Sequence, residues 1–121
     1  GFGKSSDLQW EKAYPMIAAE AIDAFCEAKG LEKVDIVGNS MGGNVACETA
    51  LAYPHRVRKM ALMGPGGLAA PLFTPEPSEG SRRLFDFLAD PTDEKMGAWV
   101  DTMVGNKKVV SPELIRARTE L

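Results

Sequence analysis

Histidine is nearly missing from this chain: His55 is the single one among 121 residues. Chemistry that needs an imidazole base must therefore use His55 or a histidine supplied from elsewhere. Cysteine is almost as scarce. Cys26 and Cys47 fall among helical apolar residues, a setting that reads as two small buried hydrophobes rather than a disulfide or a metal pair. No apolar run comes near the ~20 residues that span a bilayer, so no membrane is expected as a partner. No charged-then-apolar leader pattern opens the chain, which favours a cytoplasmic location. Runs of one charge are also lacking. Fourteen basic and seventeen acidic side chains are interspersed, for a net charge of -3, and nothing points to nucleic acid. The remaining composition, 45% hydrophobic and 26% charged, is that of an ordinary soluble globular protein.

Apolar spacing of three and four from Leu8 to Lys29 (Trp10, Tyr14, Ile17, Ala21, Phe25, Ala28) predicts an amphipathic helix. Pro15 sets its true start near Tyr14 and Gly30 its stop. Val34 to Val37 reads as a short buried strand, followed by a helix from Gly43 to about Tyr53, closed by Pro54. Val57 to Met63 reads as a second strand ending in Gly64-Pro65-Gly66-Gly67. Helix, strand, helix, strand at these lengths implies right-handed crossovers and a parallel sheet. Beyond Gly67, Pro71, Pro75 and Pro77 predict an extended linker, and three helices follow: Glu79 to Ala89, Thr92 to Val104, and Pro112 onward. Asp90-Pro91-Thr92 and Ser111-Pro112 supply capping residues and N1 prolines. The last helix is expected to run through Leu121. The expected division is 1–67 as part of an α/β core and 68–121 as a helical insertion. Two strands do not make a stable sheet unaided, so the chain is expected to be the middle of a larger domain.

Gly38-Asn39-Ser40-Met41-Gly42 stands where the first strand passes into the helix. A serine in G-x-S-x-G at a strand-to-helix turn is a nucleophile elbow. The turn is expected to be tight enough that only glycine fits on its flanks. It would lift the serine oxygen clear of the sheet and aim at it a helix N-terminus, whose unpaired N–H groups suit a developing oxyanion. Ser40 is thus the candidate catalytic nucleophile and the Met41 N–H one oxyanion donor; the bland alternative is a serine that merely caps the helix. Hydrolysis through a covalent serine intermediate is the expected chemistry.

The base is not in evidence. His55 lies beyond the helix that follows Ser40, on the order of 20 Å away at ~1.5 Å per residue, whereas a base works within about 3 Å. Acid and histidine follow the serine in chain order in this kind of site, so both are expected beyond Leu121, and the second oxyanion donor upstream of Gly1. Two competing motifs are weak. Gly3-Lys4-Ser5 matches only the tail of a phosphate-binding P-loop. Gly38 to Gly43 lacks the G-x-G-x-x-G spacing of dinucleotide sites.

These residues resemble the meta-cleavage product hydrolases of the α/β-hydrolase fold. The resemblance covers essentially the whole chain and rests on Gly1-Phe2-Gly3-Lys4-Ser5, Gly38-Asn39-Ser40-Met41-Gly42-Gly43, Leu62-Met63-Gly64-Pro65-Gly66-Gly67 and Ser111-Pro112-Glu113-Leu114. It implies hydrolysis of a carbon–carbon bond in 2-hydroxy-6-oxo-hexa-2,4-dienoates from aromatic degradation, with no metal or organic cofactor, a small-molecule dienoate as partner and a homo-oligomeric full-length protein. It implies that residues 68–121 are part of the helical cap. Asn39 would help hold the dienoate carboxylate, or else stabilise the turn by side-chain to backbone bonding. Arg118 would grip the same carboxylate with paired donors, against the plain reading of a solvated helix residue. Leu84, Trp99 and Met103 would line the distal pocket, although stripes of this kind also arise from packing alone. Asn44 departs from relatives that carry histidine there. An esterase or lipase on the same fold, and a non-catalytic ligand-binding member, are the alternatives.

Overall fold

The structure is a computed structural model and describes residues 4–6, 9, 11–67 and 75–120. It divides into two compact units, Gly1–Pro71 and Leu72–Leu121. The expected linker proline Pro71, together with Leu8, Trp10 and the opening Gly1-Phe2-Gly3, lies outside the described residues.

In the first unit, α1 (Tyr14–Ala28) begins at Tyr14, with Pro15 in its first turn, where a missing N–H removes no helical bond. It stops where Gly30 takes φ +64°, and the Leu31 N–H donates back to the Cys26 carbonyl at 2.8 Å. β1 (Val34–Asn39) leads into α2 (Met41–Ala52), and β2 (Val57–Met63) pairs parallel with β1. Register runs from Val34 opposite Val57 to Asn39 opposite Met63, with one irregularity between Val34 and Asp35. There Arg58 Nε and Nη2 donate to the two Asp35 carboxylate oxygens at 2.9 and 2.7 Å. The β2 entry is anchored by Arg56, which donates to Asp23 of α1 and to the Leu31 carbonyl. Ala19 and Cys26 of α1 and Val45, Ala46 and Thr49 of α2 are buried where the two helices pack. Thr49 hides its hydroxyl by donating to the Val45 carbonyl at 2.8 Å. Small side chains at this seam permit the two helices to pack closely against each other. Cys26 is buried as expected, but Cys47 is only half-buried, and both are free thiols.

Two boundaries and the burial of β1 differ from expectation in this unit: among the β1 residues only Gly38 is buried, and Val37 is 68% exposed. The strand runs on to Asn39 and the helix starts at Met41 rather than Gly43, so the turn is a single residue, Ser40.

The second unit has three helices and no strand among its described residues: α3 (Glu79–Ala89), α4 (Asp93–Met103) and α5 (Pro112–Thr119), with a 3-10 turn at Lys107–Val109 between the last two. Met96 and Val100 of α4 are its buried core. A Cβ on Gly80 would stand 3.4 Å from the Thr102 hydroxyl and one on Gly97 4.0 Å from Ile115 Cδ1, ordinary contact distances, so neither position is closed to a side chain by packing. Pro112 sits in the first turn of α5 as expected, whereas Pro91 does not open α4. Thr92 takes the cap there, because its hydroxyl accepts the Lys95 N–H at 3.3 Å, and Pro91 is left outside the helix. Nor does α5 run on through Leu121. It ends at Thr119, whose hydroxyl bonds back to the Ile115 carbonyl at 3.0 Å. No helix among the described residues is long and apolar enough to cross a membrane.

Candidate active site

Ser40 has φ +52° and ψ -121° and is the one non-glycine residue of positive φ among those described. Such a conformation costs on the order of 1–3 kcal/mol and persists only where its surroundings over-determine it. The surroundings are visible. The Ser40 N–H donates to the Met63 carbonyl at 3.0 Å, and the Ser40 carbonyl accepts from Gly43 N–H at 2.9 Å and Gly66 N–H at 2.8 Å. Neither end of the residue is left to rotate.

The flanking glycines are needed for unequal reasons. A Cβ on Gly38 would lie 2.5 Å from the Gly42 carbonyl oxygen and 2.7 Å from Gly43 Cα. One on Gly43 would lie 2.6 Å from Pro65 Cβ. Backbone and a rigid ring cannot yield by that much, so both positions exclude a side chain. Gly42 breaks the expectation, since apart from its chain neighbours and the backbone of its own helix no atom among the described residues stands within 4 Å of its added Cβ. Steric demand therefore falls on Gly38 and Gly43, where helix meets strand and loop, rather than on the second glycine of the motif.

Ser40 occupies the N-cap of α2 yet its side chain makes no capping hydrogen bond. The plain capping role is thereby excluded, and the hydroxyl is exposed at the turn. Met41 is the first residue of α2, so its N–H belongs to the end-group set that no helical carbonyl reaches. Asn39, the last residue of β1, is exposed beside Ser40. Among the described residues no hydrogen bond joins its side chain to the turn; Ser40's own backbone contacts hold it.

His55 is in the loop after α2 with its side chain 64% exposed, 3.9 Å from Asp23 and edge-on to Tyr53. Ser40 is at the opposite end of this twelve-residue helix, about 18 Å away at ~1.5 Å per residue. As expected, it does not serve Ser40. No group of three or more His, Cys, Asp or Glu among the described residues could hold a metal.

The remaining candidates belong to the second unit. Arg118, exposed on α5, places its guanidinium carbon 5.8 Å from the centroid of the Trp99 ring on α4. Phe87 of α3 stacks on the same indole, centroids 6.3 Å apart and planes 17° from parallel. Two candidates of quite separate sequence position are thus in contact, and the stacked cation keeps its N–H donors for other partners. Leu84 is half-buried on α3, and Met103 is 53% exposed at the end of α4.

Sequence reasoning missed the contacts of the Gly64–Gly67 run with the elbow. The Gly66 N–H holds the Ser40 carbonyl, Pro65 fills the space above Gly43, and Asn44 Nδ2 donates to the Gly66 carbonyl at 3.2 Å. The run of Gly and Pro was the available signal, but only as a turn.

A family profile described as the alpha/beta hydrolase fold matches residues 1–114. The chain is 38% identical over 118 residues to the 2-hydroxy-6-oxo-6-phenylhexa-2,4-dienoate hydrolase of Burkholderia cepacia, covering 98% of this chain and 41% of that protein. A 2-hydroxy-6-oxononadienedioate/2-hydroxy-6-oxononatrienedioate hydrolase of Comamonas testosteroni is 36% identical over 118 residues, with 98% and 41% covered. Among solved structures, a variant of the meta-cleavage product hydrolase CumD superposes with a TM-score of 0.80 at 31% identity, covering 98% of this chain and 41% of that one. A serine-to-alanine variant of CumD from Pseudomonas fluorescens, complexed with acetates, gives 0.76 at 32% identity with the same coverage. The chain spans about two fifths of the length of these relatives.

Proposed function

The chain belongs to the α/β-hydrolase fold family, and from that premise we propose that it is the elbow-and-cap portion of a serine hydrolase that cleaves a carbon–carbon bond in 2-hydroxy-6-oxo-hexa-2,4-dienoates. The observation that carries the reading is Ser40: strained, exposed, and freed from the capping bond its position would otherwise invite. Strain of this kind is kept where it presents a reacting group. The names of relatives 36–38% identical across nearly all of this chain support the substrate class.

In this reading Ser40 Oγ is the nucleophile and the Met41 N–H, at the positive end of α2, takes part of the oxyanion charge. The dienol substrate is first converted to its keto tautomer, with a histidine moving the proton. Ser40 then bonds to the C6 carbonyl carbon, and the bond from C6 to C5 breaks. C5 took up its proton in the ketonisation, so the electron pair of the broken bond is delocalised through C4 and C3 onto the C2 oxygen, which is protonated, and the C1–C5 part leaves as a hydroxypentadienoate. Water then releases the C6 carboxylic acid from Ser40. Asn39 and Arg118 hold the C1 carboxylate, since a charge at that end orients the dienoate and favours electrons flowing toward it. Leu84, Trp99 and Met103 line the space for the C6 substituent, and the second unit is part of a helical cap. The base and its acid partner come from outside residues 1–121, no metal or organic cofactor takes part, and the full-length protein is a homo-oligomer. Two free thiols fit a reducing, cytoplasmic setting.

The test is turnover by the full-length protein of a phenyl-substituted dienoate, followed by loss of its visible absorbance, against p-nitrophenyl esters. Preference for the dienoate, abolished by Ser40→Ala, is the expected result. Preference for esters would make the protein an esterase of the same fold. Biological activity left intact by Ser40→Ala would make it a non-catalytic binder.

A further inference from the structure

Asn44 stands one turn into α2, where neither motif nor spacing gives it a task. Its surroundings do. The Gly66 peptide groups are both engaged: the carbonyl accepts from Asn44 Nδ2 at 3.2 Å, and the N–H donates to the Ser40 carbonyl at 2.8 Å. On one side Pro65 packs against Gly43, and on the other a Cβ on Gly67 would come within 2.9 Å of Asn44 Nδ2 at a backbone φ of +77°. Gly66 is thus pinned from the helix by one side chain and from the turn by one backbone bond, so the loop has a single seat. The Ser40 carbonyl and the Met41 N–H are two ends of one peptide plane. Because that plane is rigid and trans, whatever fixes the direction of the oxygen fixes the direction of the N–H. A carbonyl that accepts hydrogen bonds also polarises its own peptide, which makes the N–H a stronger donor.

We infer that Asn44 is a positioning residue for the elbow: by holding the Gly66 carbonyl it keeps the Gly66 N–H on the Ser40 carbonyl, and so aims and strengthens the Met41 N–H as an oxyanion donor. The inference rests on Ser40 being the nucleophile but not on which carbonyl compound it attacks. It predicts where the effect appears. An oxyanion donor acts on the transition state and leaves ground-state binding alone. In the full-length protein, Asn44→Ala and Asn44→Asp, neither of which can donate to Gly66, lower kcat about tenfold while KM changes by less than about twofold, the size expected for one lost neutral hydrogen bond.

The test uses a p-nitrophenyl alkylphosphonate, in which Ser40 Oγ bonds to phosphorus and p-nitrophenolate leaves. Its release is followed by absorbance, and the labelled peptide is found by mass spectrometry. Labelling rates, taken over the fraction of protein that labels, are expected to fall by the same factor as kcat in both Asn44 variants. Gly67→Ala supplies a second route, because its new Cβ pushes the Asn44 amide away from Gly66. The loss it causes is expected to be smaller in an Asn44→Ala background, where the colliding amide is gone. Asn44 variants that label and turn over at the unmodified rate overturn the inference, as does a loss confined to KM. No labelling of Ser40 in the unmodified protein overturns both it and the proposed function. Labelling without dienoate turnover removes the substrate class alone, and the variants still decide the role of Asn44.

Discussion

In the second unit each helix begins on a hydroxyl residue that accepts the N–H three positions on: Ser78 from Ser81, Thr92 from Lys95 and Ser111 from Leu114. In the first unit neither α1 nor α2 has a side-chain cap. There the start of α2 is fixed at a distance, by Met63 and Gly66 bonding to Ser40 and by Pro65 lying on Gly43. Local capping can be lost one helix at a time. A strained turn held by several remote partners is lost as a whole, which suits a residue that must be presented in one orientation.

The sharpest test of this contrast is Ser40→Ala in the full-length protein, expected to lower dienoate turnover by about 10⁴-fold or more while the thermal unfolding midpoint changes little. A large drop in the midpoint instead would mean that the hydroxyl serves the fold. Next comes Gly38→Ala. Its Cβ would strike the Gly42 carbonyl and Gly43 Cα, so destabilisation above about 4 kcal/mol is expected in denaturant titration. Gly42→Ala, with no described atom near the added carbon beyond its chain neighbours and its own helix backbone, is expected to change stability by less than about 1 kcal/mol. Equal effects at the two glycines would mean that the close approach at Gly38 does not shape the elbow.

Removing one cap in the second unit, by Thr92→Ala or Ser111→Ala, should cost about 1 kcal/mol each, with the two effects adding in the double variant. Strong non-additivity would show that this unit is held as cooperatively as the elbow.

The smallest expected effect is in acid. Arg58 holds the Asp35 carboxyl below its ordinary range, chiefly by donating hydrogen bonds to it. Unfolding releases that hold, so the unfolded chain takes up the proton first as pH falls. The contribution is therefore present in full above the unfolded value near ~3.9 and disappears as pH drops through the lower folded value. Both partners are exposed, so the effect is slight and weakened by salt. Unfolding midpoints measured from about pH 5 to 2 should fall slightly less steeply in Asp35→Asn than in the unmodified protein.

The same contrast explains what could be read in advance. Both strands and all five helices were legible, because apolar period, proline and capping residues are local signals. Ser40 stood out because its motif coincides with a strand-to-helix boundary. What was not legible depends on residues far apart in sequence. Asn44 and Gly66 are 22 positions apart, and Phe87, Trp99 and Arg118 come together from three helices. The choice of Thr92 over Pro91 to begin α4 was missed for a local reason: a threonine just after proline can take the cap itself. The 3-10 turn at Lys107–Val109, tied by the Asn106 carboxamide accepting the Lys108 N–H, had no periodic signal to announce it.

Trp99 is in contact with both an aromatic ring and a cation and is one of two tryptophans in the chain. An indole in that position is an optical gauge of its own neighbourhood. Replacing Trp10 by phenylalanine would leave Trp99 as the single indole within residues 1–121, and any anion that drew the guanidinium off the ring would register as a change in its emission, with no dye or label attached.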